Sequence, residues 1–161
     1  MPIASLEVGQ SMLFMGEGLR VHATARVSGD RFLIVELTSR PGGGPHHLHS
    51  HAAAEQFMCT EGRITVFTDD DAHDLTGGES ITIAPHVPHT YRNLTDAPGR
   101  LLCTLSPPHD MEAFLLEVCE PLTDPDGPLP PVDPAESARA MEIASRHGMT
   151  VLGTPDPGRR A

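Results

Sequence analysis

From Leu19 to Ser106 the chain is cut into short apolar or alternating runs by turn-forming residues, and that punctuation restricts the fold more than any other feature. Leu19, Val21, Ala23, Ala25 and Val27 alternate with Arg20, His22, Thr24 and Arg26, the period of a half-buried strand. His22 falls on the polar side and reads as a surface residue. After the turn Ser28-Gly29-Asp30, RFLIVELTS predicts a more deeply buried strand rich in β-branched residues. Glu36 interrupts it. A carboxylate there must either face outward or line a wet pocket, because an unpaired buried charge is costly. RITVFTD, SITIAP and RLLCTLS continue the series, divided by Asp69-Asp70-Asp71, Gly77-Gly78 and the turn Thr95-Asp96-Ala97-Pro98-Gly99. Strand signals repeating every eight to twelve residues or so predict an all-β sandwich or barrel, not βαβ units.

The flanks differ. Residues 1 to 18 are apolar but weakly patterned, broken by Gly9, Gly16 and Gly18. Beyond Pro107-Pro108, Asp110 is placed to cap a short helix over MEAFLLEVCE, in which Phe114, Leu115 and Val118 recur at helical spacing. Residues 121–134 contain six prolines and predict an extended connector. A second helix follows, with Asp133 as cap, Pro134 in the first position and Gly148 as terminator. MTVLG closes the ordered chain and TPDPGRRA reads as a frayed tail. The expected organisation is one β-barrel over residues 1–122, with residues 123–161 as connector, helix and tail packed on it. At 161 residues a single core suffices, since a chain of this size buries about 70% of its unfolded surface.

Charge and composition exclude several functions. Acidic residues outnumber basic ones 22 to 11 and no basic run is present, so nucleic acid and anionic membrane are not expected partners. No signal-type leader and no long apolar segment is visible, which predicts a cytoplasmic protein. Cys59, Cys103 and Cys119 are odd in number and lack CxxC spacing, so they read as buried small hydrophobes.

The chemistry concentrates between Gly43 and Gly62, GGPHHLHSHAAAEQFMCTEG. His49 and His51 stand two apart, which on a strand turns both imidazoles to one face about 7 Å apart, close enough to share an ion. Glu55 keeps the same parity. The Pro41-Gly42-Gly43-Gly44-Pro45 run argues against a helix through the first histidines. On this stretch alone, an exposed His-rich loop is the alternative. His47 shares the parity and is a candidate for the pocket mouth, as a proton shuttle, a substrate contact or a plain rim residue. His46 has the opposite parity and receives no role.

A second cluster, GESITIAPHVPHTYRN from Gly78 to Asn93, supplies His89. Together the two segments resemble the paired motifs of the cupin superfamily, G-x5-H-x-H-x3-E-x6-G and G-x5-P-x-G-x2-H-x3-N. Gly43, His49, His51, Glu55 and Gly62 fit the first in full. Gly78, His89 and Asn93 fit the second, with Ala84 in place of its proline and His86 in place of its glycine. That glycine serves a turn that favours positive φ, so His86 is expected in an altered surface turn.

The resemblance implies an all-β cupin jelly-roll barrel with one or two C-terminal helices, holding one divalent transition metal on His49, His51, Glu55 and His89. Three imidazoles and a carboxylate suit Fe, Ni, Mn, Co or Zn equally. Inward parity nominates Phe57, Cys59, Tyr91 and Asn93, with Phe57 and Tyr91 as substrate-contact candidates beside His47. From about Asp30 to Leu122 the layout is similar to single-domain quercetin dioxygenase-like cupins. That implies O2 chemistry on a small enol or aromatic substrate, with Glu55 as both ligand and general base. Non-oxidative cupin isomerases, cyclases and lyases, and non-catalytic binding cupins, are the alternatives. Family habit also implies a homodimer through residues 1 to 18.

Overall fold

The structure, a computed structural model, describes residues 3–155. Twelve strands and three helices follow in chain order. The strands are β1 (Ser11–Phe14), β2 (Glu17–Ala23), β3 (Leu33–Ser39), β4 (His49–Ser50), β5 (Ala54–Glu61), β6 (Arg63–Thr68), β7 (Ala72–Thr76), β8 (Ser80–Ile83), β9 (His89–Arg92), β10 (Gly99–Ser106), β11 (Glu120–Pro121) and β12 (Thr150–Val151). The helices are α1 (Ala25–Ser28), α2 (Met111–Val118) and α3 (Pro134–Arg146). A seven-stranded sheet of order β11-β1-β2-β3-β10-β5-β8 and a five-stranded sheet of order β12-β4-β9-β6-β7 form the expected jelly roll. Among the described residues no helix is long and apolar enough to cross a membrane.

Strand alternation decides which residues meet. Leu33, Val35 and Leu37 of β3 are buried and register with Leu105, Cys103 and Leu101 of β10, which in turn meet Glu55, Phe57 and Cys59 of β5. This inner face is the core. Each Leu or Phe so buried contributes about 2 kcal/mol. Glu36 lies on the opposite face, 3.8 Å from Arg100 and 3.8 Å from His22, so the outward reading of Glu36 is the correct one. His22 is a surface residue as expected.

Three expectations are corrected. The strand expected to reach Val27 stops at Ala23, because Thr24 Oγ1 accepts a hydrogen bond from the Val27 amide (3.2 Å) and opens α1 instead. Asp110 occupies the N-cap position of α2 without capping it; its carboxylate is taken by His147 Nδ1 at 2.7 Å. Asp133 does cap α3, accepting from the Ala135 amide at 2.9 Å. The connector is not wholly unpaired, since Glu120 and Pro121 register with β1. Of the expected frayed tail, residues 156–161 lie outside the described residues.

α3 is fastened to α2 by polar contacts at one end. His147 sits between Asp110 Oδ2 and Glu117 Oε2 (2.6 Å), Arg146 pairs with Glu117, and Arg139 donates to the Glu117 carbonyl at 3.0 Å. The Glu117 hydrogen bond, aided by Asp110, holds the His147 pKa above its ordinary value against partial burial. A histidine with a raised folded-state pKa contributes stability that is full below its unfolded pKa near 6.5 and is lost as pH climbs through the raised value. His147→Gln is therefore expected to lower the melting temperature measurably at about pH 6. The gap to the parent protein should close as the solution is made alkaline; thermal melts across that range check it, and a pH-independent gap rejects the assignment.

Candidate metal centre

Both sheets bring the four predicted ligands to one point. His49 on β4 registers directly with His89 on β9, while Glu55 comes from the inner face of β5 in the other sheet. His51 lies just past β4, so the expected strand parity covers only the first histidine. The two-residue spacing still holds the rings on one side, with centroids 5.8 Å apart. One ligand atom from each of His49, His51, Glu55 and His89 falls within 4.8 Å of all the others. Glu55 Oε2 stands 3.0 Å from His51 Nε2 and 2.9 Å from His89 Nε2. His51, Glu55 and His89 are buried and His49 is partly so.

The donor set fits a cation. His51 Nδ1 lies 2.9 Å from the Ala53 carbonyl and His89 Nδ1 lies 2.8 Å from the Val87 carbonyl; His49 Nδ1 approaches the His47 carbonyl at 3.4 Å. A carbonyl only accepts, so these contacts place a proton on Nδ1 and leave the Nε2 lone pairs of neutral His51 and His89 facing the Glu55 carboxylate. Lone pairs opposed to a carboxylate require a shared positive charge, a proton or a metal ion. The protonic alternative shows in the titration behaviour. Burial alone raises the Glu55 pKa, but the His51 and His89 hydrogen bonds outweigh it and hold the carboxyl well below its ordinary range. Burial likewise lowers His89, yet its bond to Glu55 pulls it above the usual value. His49 is pushed down to about 4, by burial first and then by the charge of His89, which keeps it neutral and free to coordinate.

His49, His51 and Glu55 line a cavity of about 560 Å3 between the sheets and the two C-terminal helices. His47, Phe57 and Tyr91 line it, as expected of them; His46 lines it as well, because residues 46–48 are not a strand and parity does not govern them. Phe57 also packs its ring 5.9 Å from that of His89. Cys59 and Asn93 are buried but do not line the cavity. Asn93 instead fastens loops, donating to the Ser39 and Ala97 carbonyls at 3.1 and 2.8 Å. His86 is an exposed turn residue with φ 63°, where the family pattern has glycine.

Sequence reasoning missed Glu17. Its carboxylate is 1% exposed and accepts hydrogen bonds from Ser39 Oγ (2.8 Å) and Tyr91 Oη (3.3 Å). Burial pushes its pKa up to about 7, against the pull of Ser39, Tyr91, the Gly44 amide and Arg40. The motif glycine Gly43 makes room for it, since a Cβ there would stand 1.9 Å from Glu17 Oε1. The available signal was parity: Glu17, Leu19 and Val21 share one face of β2, and all three are buried.

Comparison with known proteins agrees with the geometry. Residues 35–105 match the Cupin_2 family, described as a cupin domain. An uncharacterised protein of Methanocaldococcus jannaschii is 32% identical over 73 residues, which cover 45% of this chain and 58% of that protein. The chain thus spans little more than half the length of that relative. Among solved structures, an RmlC-like cupin from Shewanella frigidimarina superposes with a TM-score of 0.53 at 22% identity, over 61% of this chain and 84% of the other. The polyketide cyclase RemF from Streptomyces resistomycificus gives 0.51 at 18% identity, over 63% and 70%. At such identities the likeness is one of fold. Family match and fold together support the cupin superfamily, and the buried His-His-Glu-His cluster has the composition to hold one metal ion.

Two outcomes are expected. Elemental analysis of protein refolded with a divalent transition metal should give one ion per chain, and His89→Ala should reduce that content severalfold without unfolding the barrel. Glu17 titrates from an unfolded value near 4.5 to about 7, so ionising it in place costs on the order of 3 kcal/mol. Stability should fall as pH rises from about 4.5 to about 7 in the parent protein, and Glu17→Gln should flatten that slope in urea denaturation.

Proposed function

We propose that the chain is a metal-dependent dioxygenase acting on a small enol or aromatic substrate, in the manner of the quercetin dioxygenase-like cupins. The observation that carries this reading is a three-histidine, one-carboxylate cluster opening on a cavity of drug-like size. A bound Fe, Ni, Mn, Co or Zn ion supplies Lewis acidity at this point, and the redox-active members of that set supply electron transfer to O2.

The residues of the chain divide the remaining work. His49, His51 and His89 hold the ion, each oriented by a backbone carbonyl on its other nitrogen. Glu55 is the fourth member of the set, and an ion bound there in place of a shared proton would keep its carboxylate ionised. Oε2 makes both imidazole contacts, so we assign uptake of the substrate hydroxyl proton to Oε1, which makes neither. Phe57 and Tyr91 form the wall against which the reacting ring lies, and His47 stands half-buried beside it. The partner is a small molecule, and a homodimer through residues 1 to 18 is part of the proposal.

A second reading has a specific basis: nothing in the donor set demands a redox metal, so the same cluster serves a non-oxidative isomerase, cyclase or lyase. Oxygen separates the two. Metal-loaded protein mixed anaerobically with a flavonol should shift the flavonol absorbance, and admitting O2 should start oxygen uptake. No shift and no uptake sinks the oxygenase; product formed without O2 favours the second reading. Glu55→Gln should lower kcat by about 100-fold to 10,000-fold while much ligand affinity survives in metal-replete protein. Binding without turnover by the parent protein and the variant alike identifies a binding module.

A further inference from the structure

The cavity wall away from the metal ligands differs in kind from the wall around them. Leu19, Val35 and Leu37 of the large sheet face Phe114 of α2 and Ala140 and Ala144 of α3 across it. Among the described residues no Lys or Arg lines the cavity, so a phosphate or a second carboxylate on the ligand finds no counter-charge there. The net charge of −11 adds a general bias against anions. Outside the histidines and Glu55, the lining side chains able to hydrogen-bond are Tyr91, Cys103 and Ser137. The Tyr91 hydroxyl already donates to Glu17, and the Cys103 thiol is a weak donor. Ser137 of α3 offers a single hydroxyl partner, so a ligand carrying several hydroxyls into this wall leaves most of them unpaired.

We infer that the site takes a molecule with one acidic oxygen head at the metal centre and an uncharged, sparsely hydroxylated hydrocarbon body. Ala140 and Ala144 of α3 set the depth available to that body. Four residues apart, they present small side chains on one helix face, and both are buried at the cavity wall. Specificity toward the body of the ligand therefore lies in the C-terminal helix, and the choice of head group lies in the barrel. This rests on the reading that an enol oxygen binds at the His49, His51, Glu55 and His89 centre.

Two flavonols with the same head and different bodies provide the test. 3-Hydroxyflavone and quercetin share the hydroxyl beside a ring carbonyl, but quercetin carries further hydroxyls on both outer rings. Metal-loaded protein, kept anaerobic so that nothing turns over, is titrated with each by absorbance and calorimetry. 3-Hydroxyflavone should bind at least about tenfold more tightly, the cost of burying unpaired hydroxyls. Equal or tighter binding of quercetin overturns the inference and leaves the enol-at-metal reading intact. Failure of both to bind overturns the two together. Ala144→Phe and the milder Ala140→Leu should each weaken 3-hydroxyflavone about tenfold by filling space the body would occupy, with metal content retained and the melting temperature lowered by a few degrees, as overfilling a packed wall predicts. Unchanged affinity in both metal-replete variants removes α3 from the specificity determinants.

Discussion

Three imidazoles and a carboxylate, drawn from both sheets and three strands or their ends, converge with their lone pairs on one small volume. Such an arrangement is repulsive unless a positive charge is shared among them, and it is affordable only because the surrounding fold is rigid enough to impose it. The jelly roll provides that rigidity through cross-strand register. Leu105, facing Glu55 across β10 and β5, fixes one ligand relative to the backbone hydrogen-bond ladder, and the His49–His89 pair across β4 and β9 fixes two more. The backbone carbonyls of Ala53 and Val87 then fix which nitrogen looks inward. The centre depends on backbone geometry more than on side-chain packing.

Much of this was legible in the residues. The alternation of Leu33, Val35 and Leu37 and the turns at Asp69-Asp70-Asp71 and Gly77-Gly78 announced the sheets, because period and punctuation are local properties. The clustering of His49, His51, Glu55 and His89 was readable because two spaced motifs had to be satisfied at once. Thr24 was misread because an alternating pattern carried past it, and only the competition between a strand and a side-chain cap reveals the stop. Asp110 was misread for the opposite reason: it has the right type for a cap, but a histidine far along the chain claims its carboxylate. Glu17 was missed because its partners, Ser39 and Tyr91, lie distant in sequence, and its shared parity with Leu19 and Val21 was the one local sign of burial.

The two acids differ instructively. Glu55 and Glu17 are both buried, and both sit within the same barrel, yet one is held ionised and the other is pushed toward neutrality at physiological pH. Cationic or protonated nitrogen neighbours make the difference for Glu55; hydroxyl donors do not compensate burial for Glu17. One carboxyl belongs to the candidate metal centre. The other links β2, β3 and β9 behind it, and explains in steric terms why Gly43 bears no side chain.

β12 is only two residues long, but it lies beside β4, with Val151 opposite His49. The chain that leaves α3 thus returns to become the neighbour of a candidate ligand. The helix that bounds the apolar chamber and the strand that carries His49 are joined by the short segment after Arg146. A barrel trimmed to its strands at residue 122 would keep His49, His51, Glu55 and His89 in sequence and lose the edge that steadies one of them, so the carboxy-terminal region is masonry of the candidate metal centre and not an appendage to it.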